Sequence, residues 1–322
     1  MKEPNTTRTP DKAYKVIIIL LVSLAAFSSA LRDLNRLQEV VGSLQEFSGE
    51  LLGVGLNTAE AKGISASESL CLQGLAERVQ GVNATEEFRW SGRIAQGSAI
   101  EIKGINGDLT TEAATGDQVE VIAKKKARRS NPDGVAIKVV EHAGGVTICA
   151  VYPNADPDNP NSCEPGKGGH MNVRNNDVQV DFTVRVPAGV GFIGRTVNGG
   201  ISATSLSGNV MSSTVNGSVK ISTSGYAQAK TVNGEISVKI GDANWPDSLE
   251  FTTVNGEISL DLPATVNTEI KADTFNGEIS SDFPLSLLNR TSRKHLSGRI
   301  GNGGRELILK TLNGGINLRR TS

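Results

Sequence analysis

The sequence is poor in the residues from which catalytic centres and nucleic-acid readers are usually built. Aromatic side chains make up 4% of the 322 residues, and there are three histidines, three cysteines and two tryptophans. The histidines, His142, His170 and His295, are scattered, and the chain has no H-E-x-x-H pair, G-x-S-x-G elbow or C-x-x-C pair. Zinc-protease, serine-hydrolase and dithiol redox motifs are therefore missing. Charge of one sign is missing too, since 33 basic and 34 acidic side chains leave a formal net charge of -1. Nothing pulls the whole molecule toward nucleic acid or an anionic membrane, so an electrostatic partner must meet a local patch.

The one apolar run suited to a membrane is Val16–Leu31, preceded by Lys2, Arg8, Lys12 and Lys15 and ended by Arg32. Sixteen residues of helix span roughly 24 Å, short of the ~30 Å hydrocarbon core. A cleaved signal peptide over residues 1–30 is expected, with Ser28-Ser29-Ala30 as the small-x-small site; an uncleaved signal anchor is the alternative. No cysteine follows the run, which argues against a lipoprotein. The expected localisation is exported, whether periplasmic, surface-bound or secreted. Export permits disulfides. Cys149 and Cys163 flank a segment with three prolines that cannot form a regular element, and a crosslink would staple that loop by about 3 kcal/mol. Cys71 is left over, as a free, intermolecular or simply buried thiol.

Residues 31–87 read as a helical and linker segment. Leu34, Leu37, Val41, Leu44 and Leu51 mark one helix face, and mixed Gly, Ser, Ala and Glu follow from Gly53. At Phe88 the character changes to period-two alternation, as in Ile100-Glu101-Ile102 and Val178-Gln179-Val180-Asp181-Phe182, which marks half-buried strands over a first β region at 88–190.

Residues 191–322 are dominated by a repeat. Thr-(Val/Phe/Leu)-Asn-Gly occurs at Asn198-Gly199, Asn216-Gly217, Asn233-Gly234, Asn255-Gly256, Asn276-Gly277 and Asn313-Gly314, spaced by 18, 17, 22, 21 and 37 residues. A further copy, Ile105-Asn106-Gly107, lies in the first β region, and Leu296-Ser297-Gly298-Arg299-Ile300 reads as a degenerate copy within the longest gap. Ser207-Gly208 and Ser224-Gly225 mark half-way turns. Each Thr falls in phase with apolar residues, and Gly after Asn reads as a source of positive φ. Asn-Gly could cap antiparallel hairpins or form the corner of a coil. The expected fold is all-β, a parallel β-helix-like solenoid, because coils of about 20 residues bury one another's apolar faces, whereas a meander would need an open sheet of about a dozen strands.

Other motifs carry little. Gly189-Val190-Gly191-Phe192-Ile193-Gly194 matches a dinucleotide fingerprint, but a repeat follows it where a helix would have to begin. Asn154-Ala155-Asp156-Pro157-Asp158 alternates oxygen ligands as a calcium loop does, without the Gly and the distant Glu. Lys124-Lys125-Lys126-Ala127-Arg128-Arg129 reads as a solvated loop, or else as a contact for anionic envelope polymers or headgroups, since it lacks aromatics for base stacking. Glu235, Glu257 and Glu278 recur as part of the repeat. No catalytic, cofactor-binding or metal-binding residue is expected, no nucleic acid partner, and no membrane contact beyond an uncleaved N-terminal segment.

From Phe88 onward the chain resembles adhesin families of unknown function found in bacterial envelopes, related to the auto-transporter adhesin head domain named for Gly-Ile-Asn repeats. The residues that carry the likeness are the T-V-N-G-E-I-S repeats, Gly315-Ile316-Asn317, Phe88-Arg89-Trp90-Ser91-Gly92, Val146 to Pro153 and Val178 to Pro187. The resemblance implies a right-handed parallel β-helix-like fold and transfers no catalytic residue. The expectation is an exported, non-enzymatic envelope solenoid that binds surface polymers or proteins, or serves structurally. The alternatives are a membrane-anchored envelope-stress or signalling partner and, less favoured, a solenoid polysaccharide-active enzyme.

Overall fold

The structure is a computed structural model that describes residues 85–154, 158–287 and 292–321. The signal segment, the Leu34–Leu51 helix and Cys71 lie outside the described residues.

The described chain is all-β. Two large sheets face each other, one of ten strands and one of eleven, here called the front and back sheets. The chain alternates between them, and neighbouring strands along the stack are parallel. A winding therefore consists of a back strand, an Asn-Gly corner and a front strand. Examples are Gly191–Arg195 with Ile201–Leu206 around Asn198, and Ala227–Lys230 with Ile236–Ile240 around Asn233. Antiparallel hairpins capped by Asn-Gly are thereby excluded. Ser207-Gly208 and Ser224-Gly225 carry the chain back from front to back sheet.

Period-two alternation puts one set of side chains between the sheets. Stacking in register then turns each inward position into a column. In the front sheet Leu109, Ile201, Val219, Ile236, Ile258 and Ile316 are successive partners, none more than 1% exposed. Burying a side chain of this kind stabilises by about 1.5–3 kcal/mol. No single winding could bury its column alone, which makes the stack cooperative with nearest neighbours.

The spatial order of windings is not the chain order. Bridges run Asn106, Asn198, Asn216, Asn233, Asn255, Asn313, and Asn313 then pairs with Asn276. The winding Glu306–Asn313 with Ile316–Thr321 thus fills a slot between the Asn255 and Asn276 windings, both of which precede it in the chain. At the opposite end, Ala99–Lys103 with Leu109–Ala113 lies between the Asn198 winding and a later pair, Gly145–Val151 with Gln179–Val186. Asn106 and the later repeats therefore share one ladder.

The expected copy at Leu296–Ile300 is not a winding. His295–Ile300 runs antiparallel to Thr268–Asn276 and caps the back sheet, joined by the short strand Leu285–Leu287. Apolar alternation is the same for parallel and antiparallel partners, so the pattern alone could not separate them. The far end is closed similarly, by Ala136–His142 on the back sheet and by Val119–Lys126 and Thr85–Gly92 on the front.

Candidate functional site

Two arrangements concentrate polar chemistry, namely the corner ladder and a charged cluster on the outer face of the back sheet. At the corners each asparagine carboxamide donates to the Oδ1 of the asparagine in the adjacent winding. The distances are 2.9 Å for Asn198 to Asn106, 2.8 Å for Asn216 to Asn198, Asn233 to Asn216 and Asn255 to Asn233, 2.7 Å for Asn313 to Asn255 and 2.8 Å for Asn276 to Asn313. Behind them the threonine hydroxyls form a second ladder. Thr214, Thr231, Thr253, Thr311 and Thr274 donate to the carbonyls of Gly199, Gly217, Gly234, Gly256 and Gly314 at 2.8–2.9 Å, and Thr196 to Gly107 at 3.2 Å. These threonines are at most 7% exposed, so the bond is what allows a hydroxyl into the core.

The glycines serve a different purpose from the one expected. Only Gly107, at φ 130°, and Gly314, at φ 158°, lie in the positive region, and none of the corner asparagines does. What requires glycine is the approach of stacked backbones. A Cβ on Gly199, Gly217, Gly234, Gly256, Gly277 or Gly314 would fall 1.9–2.0 Å from the glycine carbonyl oxygen of the adjoining winding. The positive-φ reading is thus corrected at Gly199, Gly217, Gly234, Gly256 and Gly277: these glycines sit at the corners, but what they supply there is space.

The second arrangement centres on Glu101, which is 3% exposed although its place in the alternation points it outward. One carboxylate oxygen accepts from Arg195 Nε at 3.0 Å, and the other accepts from Thr147 Oγ1 and from the Gly166 N–H, both at 2.9 Å. Next to it Lys103 Nζ donates to three carbonyls, those of Glu164, Gly166 and Gly168, at 2.6, 2.7 and 2.9 Å. Burial lowers the Lys103 ammonium from its ordinary value; Glu101 opposes the shift, Arg195 adds to it and Glu164 opposes it. The cover over these charges is the segment 162–170, pinned by the Cys149–Cys163 disulfide with Cα atoms 5.8 Å apart. Tyr152 closes the base of the loop: its hydroxyl donates to the Val178 carbonyl at 2.8 Å, and burial pushes its pKa up to about 12. A cleft of ≈ 30 Å³ between loop and sheet, bordered by Lys103, His170 and Arg195, has room for about one water. Every Glu101 oxygen is engaged, so the cluster works as a fastening that reads the loop's N–H with a carboxylate and its carbonyls with an ammonium.

The remaining candidate motifs fall elsewhere. Gly189–Gly194 runs into the strand Gly191–Arg195, with no helix for a pyrophosphate. Residues 155–157 of the expected acidic turn lie outside the described residues, and Asn154 donates to the Asn159 carbonyl at 2.6 Å. Among the described residues no group of three or more His, Cys, Asp or Glu could hold a metal ion, and no helix is long and apolar enough to cross a membrane. The basic run is half strand and half loop: Lys124–Lys126 end the strand Val119–Lys126, with Lys126 2.6 Å from Asp181 and Lys124 3.8 Å from Glu87, and Ala127–Arg129 follow as loop. Beyond it, the exposed Asp177 carboxylate accepts from the backbone N–H groups of Ser130, Arg129 and Arg128, which hold its pKa at about 2. His295 Nδ1 lies 2.5 Å from Asp273 Oδ1, far from His142 beside Thr147 at the other end of the stack.

Residues 193–319 match the family described as Toastrack DUF4097, a span that holds all six Thr-x-Asn-Gly corners. The match agrees with the adhesin-like resemblance carried by the repeats. No curated protein matches. Among solved structures, the chain is similar to a "putative cell adhesion protein" from Clostridium sporogenes, at 11% identity and TM-score 0.39, over 74% of this chain and 100% of that one. It is also similar to a "putative adhesin" from Bacteroides fragilis, at 12% identity and TM-score 0.32, over 72% of this chain and 97% of that one.

Proposed function

We propose that the chain is an exported, non-enzymatic module of the cell envelope whose solenoid presents a flat polar face to surface polymers or proteins. The observation that carries this reading is one outward row of the front sheet. Thr183, Thr110, Ser202, Lys220, Ser237, Ser259, Asn317 and Ser280 are successive partners across eight strands. At about 4.8 Å between strands the row is roughly 34 Å long. It offers hydroxyls, an amide and one ammonium without a bulky side chain to lift a ligand off the surface. An extended polar polymer, hydrogen-bonded along its length, suits such a row. The Cys149–Cys163 disulfide supports an oxidising compartment, and the basic, then apolar N-terminal segment supports export.

The test is retention of the purified full chain on isolated envelope polymers, with hydrolysis followed in parallel. Saturable retention that is lost in a Ser202→Arg, Ser237→Arg double variant with unchanged circular dichroism is expected. Saturable lyase or hydrolase activity on the same polymers refutes the non-enzymatic reading. N-terminal sequencing of the mature protein tests export: a start at Leu31 is expected, and retention of Met1 or Lys2 favours the anchored alternative.

A further inference from the structure

The corner ladder has one open end, and its chemistry differs there. Along the stack each corner glycine N–H donates to the asparagine carbonyl of the winding beyond it. Gly107 donates to Asn198, Gly199 to Asn216, Gly217 to Asn233, Gly234 to Asn255, Gly256 to Asn313 and Gly314 to Asn276, all at 2.9–3.0 Å. Asn276 belongs to the last winding, so Gly277 has no winding beyond it.

The strand that caps this end does not replace the missing winding. Thr274 N–H donates to the Lys294 carbonyl and Ile279 N–H to the Arg293 carbonyl, each at 2.9 Å. Two adjacent residues of the cap thus span what takes the winding beneath six residues, from 274 to 279. The cap cuts across the corner and leaves Phe275, Asn276, Gly277 and Glu278 outside it. Phe275 is 39% exposed, with Lys294 Nζ 5.7 Å from its ring centroid, and Arg293 reaches Glu278 at 3.3 Å. Among the described residues, the Gly277 N–H meets no backbone acceptor and Asn276 Oδ1 accepts from no other asparagine.

We propose that Asn276-Gly277 is a site of spontaneous covalent modification, the one ladder position at which the asparagine converts to aspartate and isoaspartate. The Gly277 amide nitrogen attacks the Asn276 side-chain carbonyl carbon. A C–N bond forms to close a succinimide, the C–NH₂ bond breaks, and ammonia leaves with the amide proton. Water then opens the ring at either carbonyl. No oxidant or reductant is needed. All seven ladder asparagines precede glycine, the follower that least hinders ring closure, so sequence does not distinguish them. Structure does, because at the other six the attacking nitrogen is held by its bond to the next winding and the backbone cannot rotate toward the side chain.

The product disturbs the ladder. An aspartate at 276 cannot donate to Asn313 Oδ1, the bond that now measures 2.8 Å, and places a carboxylate against that oxygen. Among the described residues, the last winding joins the front sheet through the three-residue strand Ile279–Ser281 and the bond from the Asp282 N–H to the Leu318 carbonyl, a short seam, so this end loosens first.

The experiment is incubation of the native full chain at mildly alkaline pH and 37 °C, with peptide mapping by mass spectrometry over time. Modification at Asn276 about thirtyfold faster than at the other ladder positions is expected, equivalent to the about 2 kcal/mol of two hydrogen bonds that those corners must break first. Asn302-Gly303, in the turn after His295–Ile300, is the internal reference outside the ladder, its Gly303 N–H held by the Ile300 carbonyl at 3.2 Å, so Asn276 should outpace it too. In denaturant the preference for Asn276 within the ladder should vanish. Equal native rates at all seven ladder positions, or faster conversion at an interior one, overturn the proposal. Asn276→Gln should abolish the early product without changing the rate at Asn302, and an unchanged early product in that variant overturns it as well.

Discussion

Replacing Gly234 by alanine tests whether corner glycines are there for space or for turning. The added Cβ would lie 2.0 Å from the Gly217 carbonyl oxygen and 2.5 Å from its carbon, both backbone atoms of a stacked winding that cannot swing aside. Relief requires the two windings to part at the corner. Three bonds then fail: Gly217 N–H to Asn233 at 3.0 Å, the Asn233 amide to Asn216 at 2.8 Å and the Thr231 hydroxyl to Gly217 at 2.9 Å. At about 1 kcal/mol each, with about 1–3 kcal/mol more for stranding the fully buried Thr231 hydroxyl, the loss is about 4–6 kcal/mol. Urea unfolding of the full chain followed by circular dichroism measures it, with Gly116→Ala as control, since a Cβ there meets nothing within 4 Å. Gly234→Asn separates the two explanations: asparagine tolerates a left-handed turn yet carries the same Cβ, so it should be no milder than alanine. If Gly234→Ala costs under about 1 kcal/mol, or if asparagine rescues it, the excluded-volume account is wrong.

Other expectations follow from the same geometry. Glu101→Ala strands the Arg195 guanidinium, which is 19% exposed, and should cost about 3–5 kcal/mol in the same assay. Cys163→Ser frees the crosslink closed at a separation of 14 residues and should cost about 3 kcal/mol, with faster hydrogen exchange confined to the loop ahead of Val178. Thr111→Val should stabilise by about 1 kcal/mol, because the fully buried Thr111 hydroxyl has no partner among the described residues. The Asp177 pKa is depressed to about 2, so its stabilising contribution is complete above the ordinary carboxylate range and is lost as pH falls through about 2. Asp177→Asn should therefore unfold at lower urea than the parent at pH 6 and match it near pH 2; a difference that persists unchanged to pH 2 refutes the assignment.

Much of the architecture was legible because a corner motif announces itself. Thr, Asn and Gly recur at fixed spacing, and alternation on either side of Asn233 or Asn255 assigns the inward columns without ambiguity. Order along the stack was not legible. The slot filled by Ile316–Thr321 depends on register between segments that alternation describes identically, and the same degeneracy made Leu296–Ile300 resemble another winding. The reason for the glycines was hidden too, since a residue without a side chain looks alike whether φ or a neighbour forbids one. Glu101 escaped notice because a carboxylate at an outward strand position ordinarily meets water. The nearest sequence signal was Lys103 two residues on, opposite the half-cystine Cys149, and it acquires meaning only once the loop folds back over both.

The winding Glu306–Thr321 lies between two windings that both precede it in the chain. Segments before it can zip together as they emerge, but the Asn255 and Asn276 corners have no contact surface for each other until this later stretch arrives to bridge them. Assembly of that end is therefore a keystone process, closed by one late insertion. A folding intermediate halted before residue 306 would hold an arch with its centre stone missing, and its exposed apolar columns would mark it for chaperones or proteases.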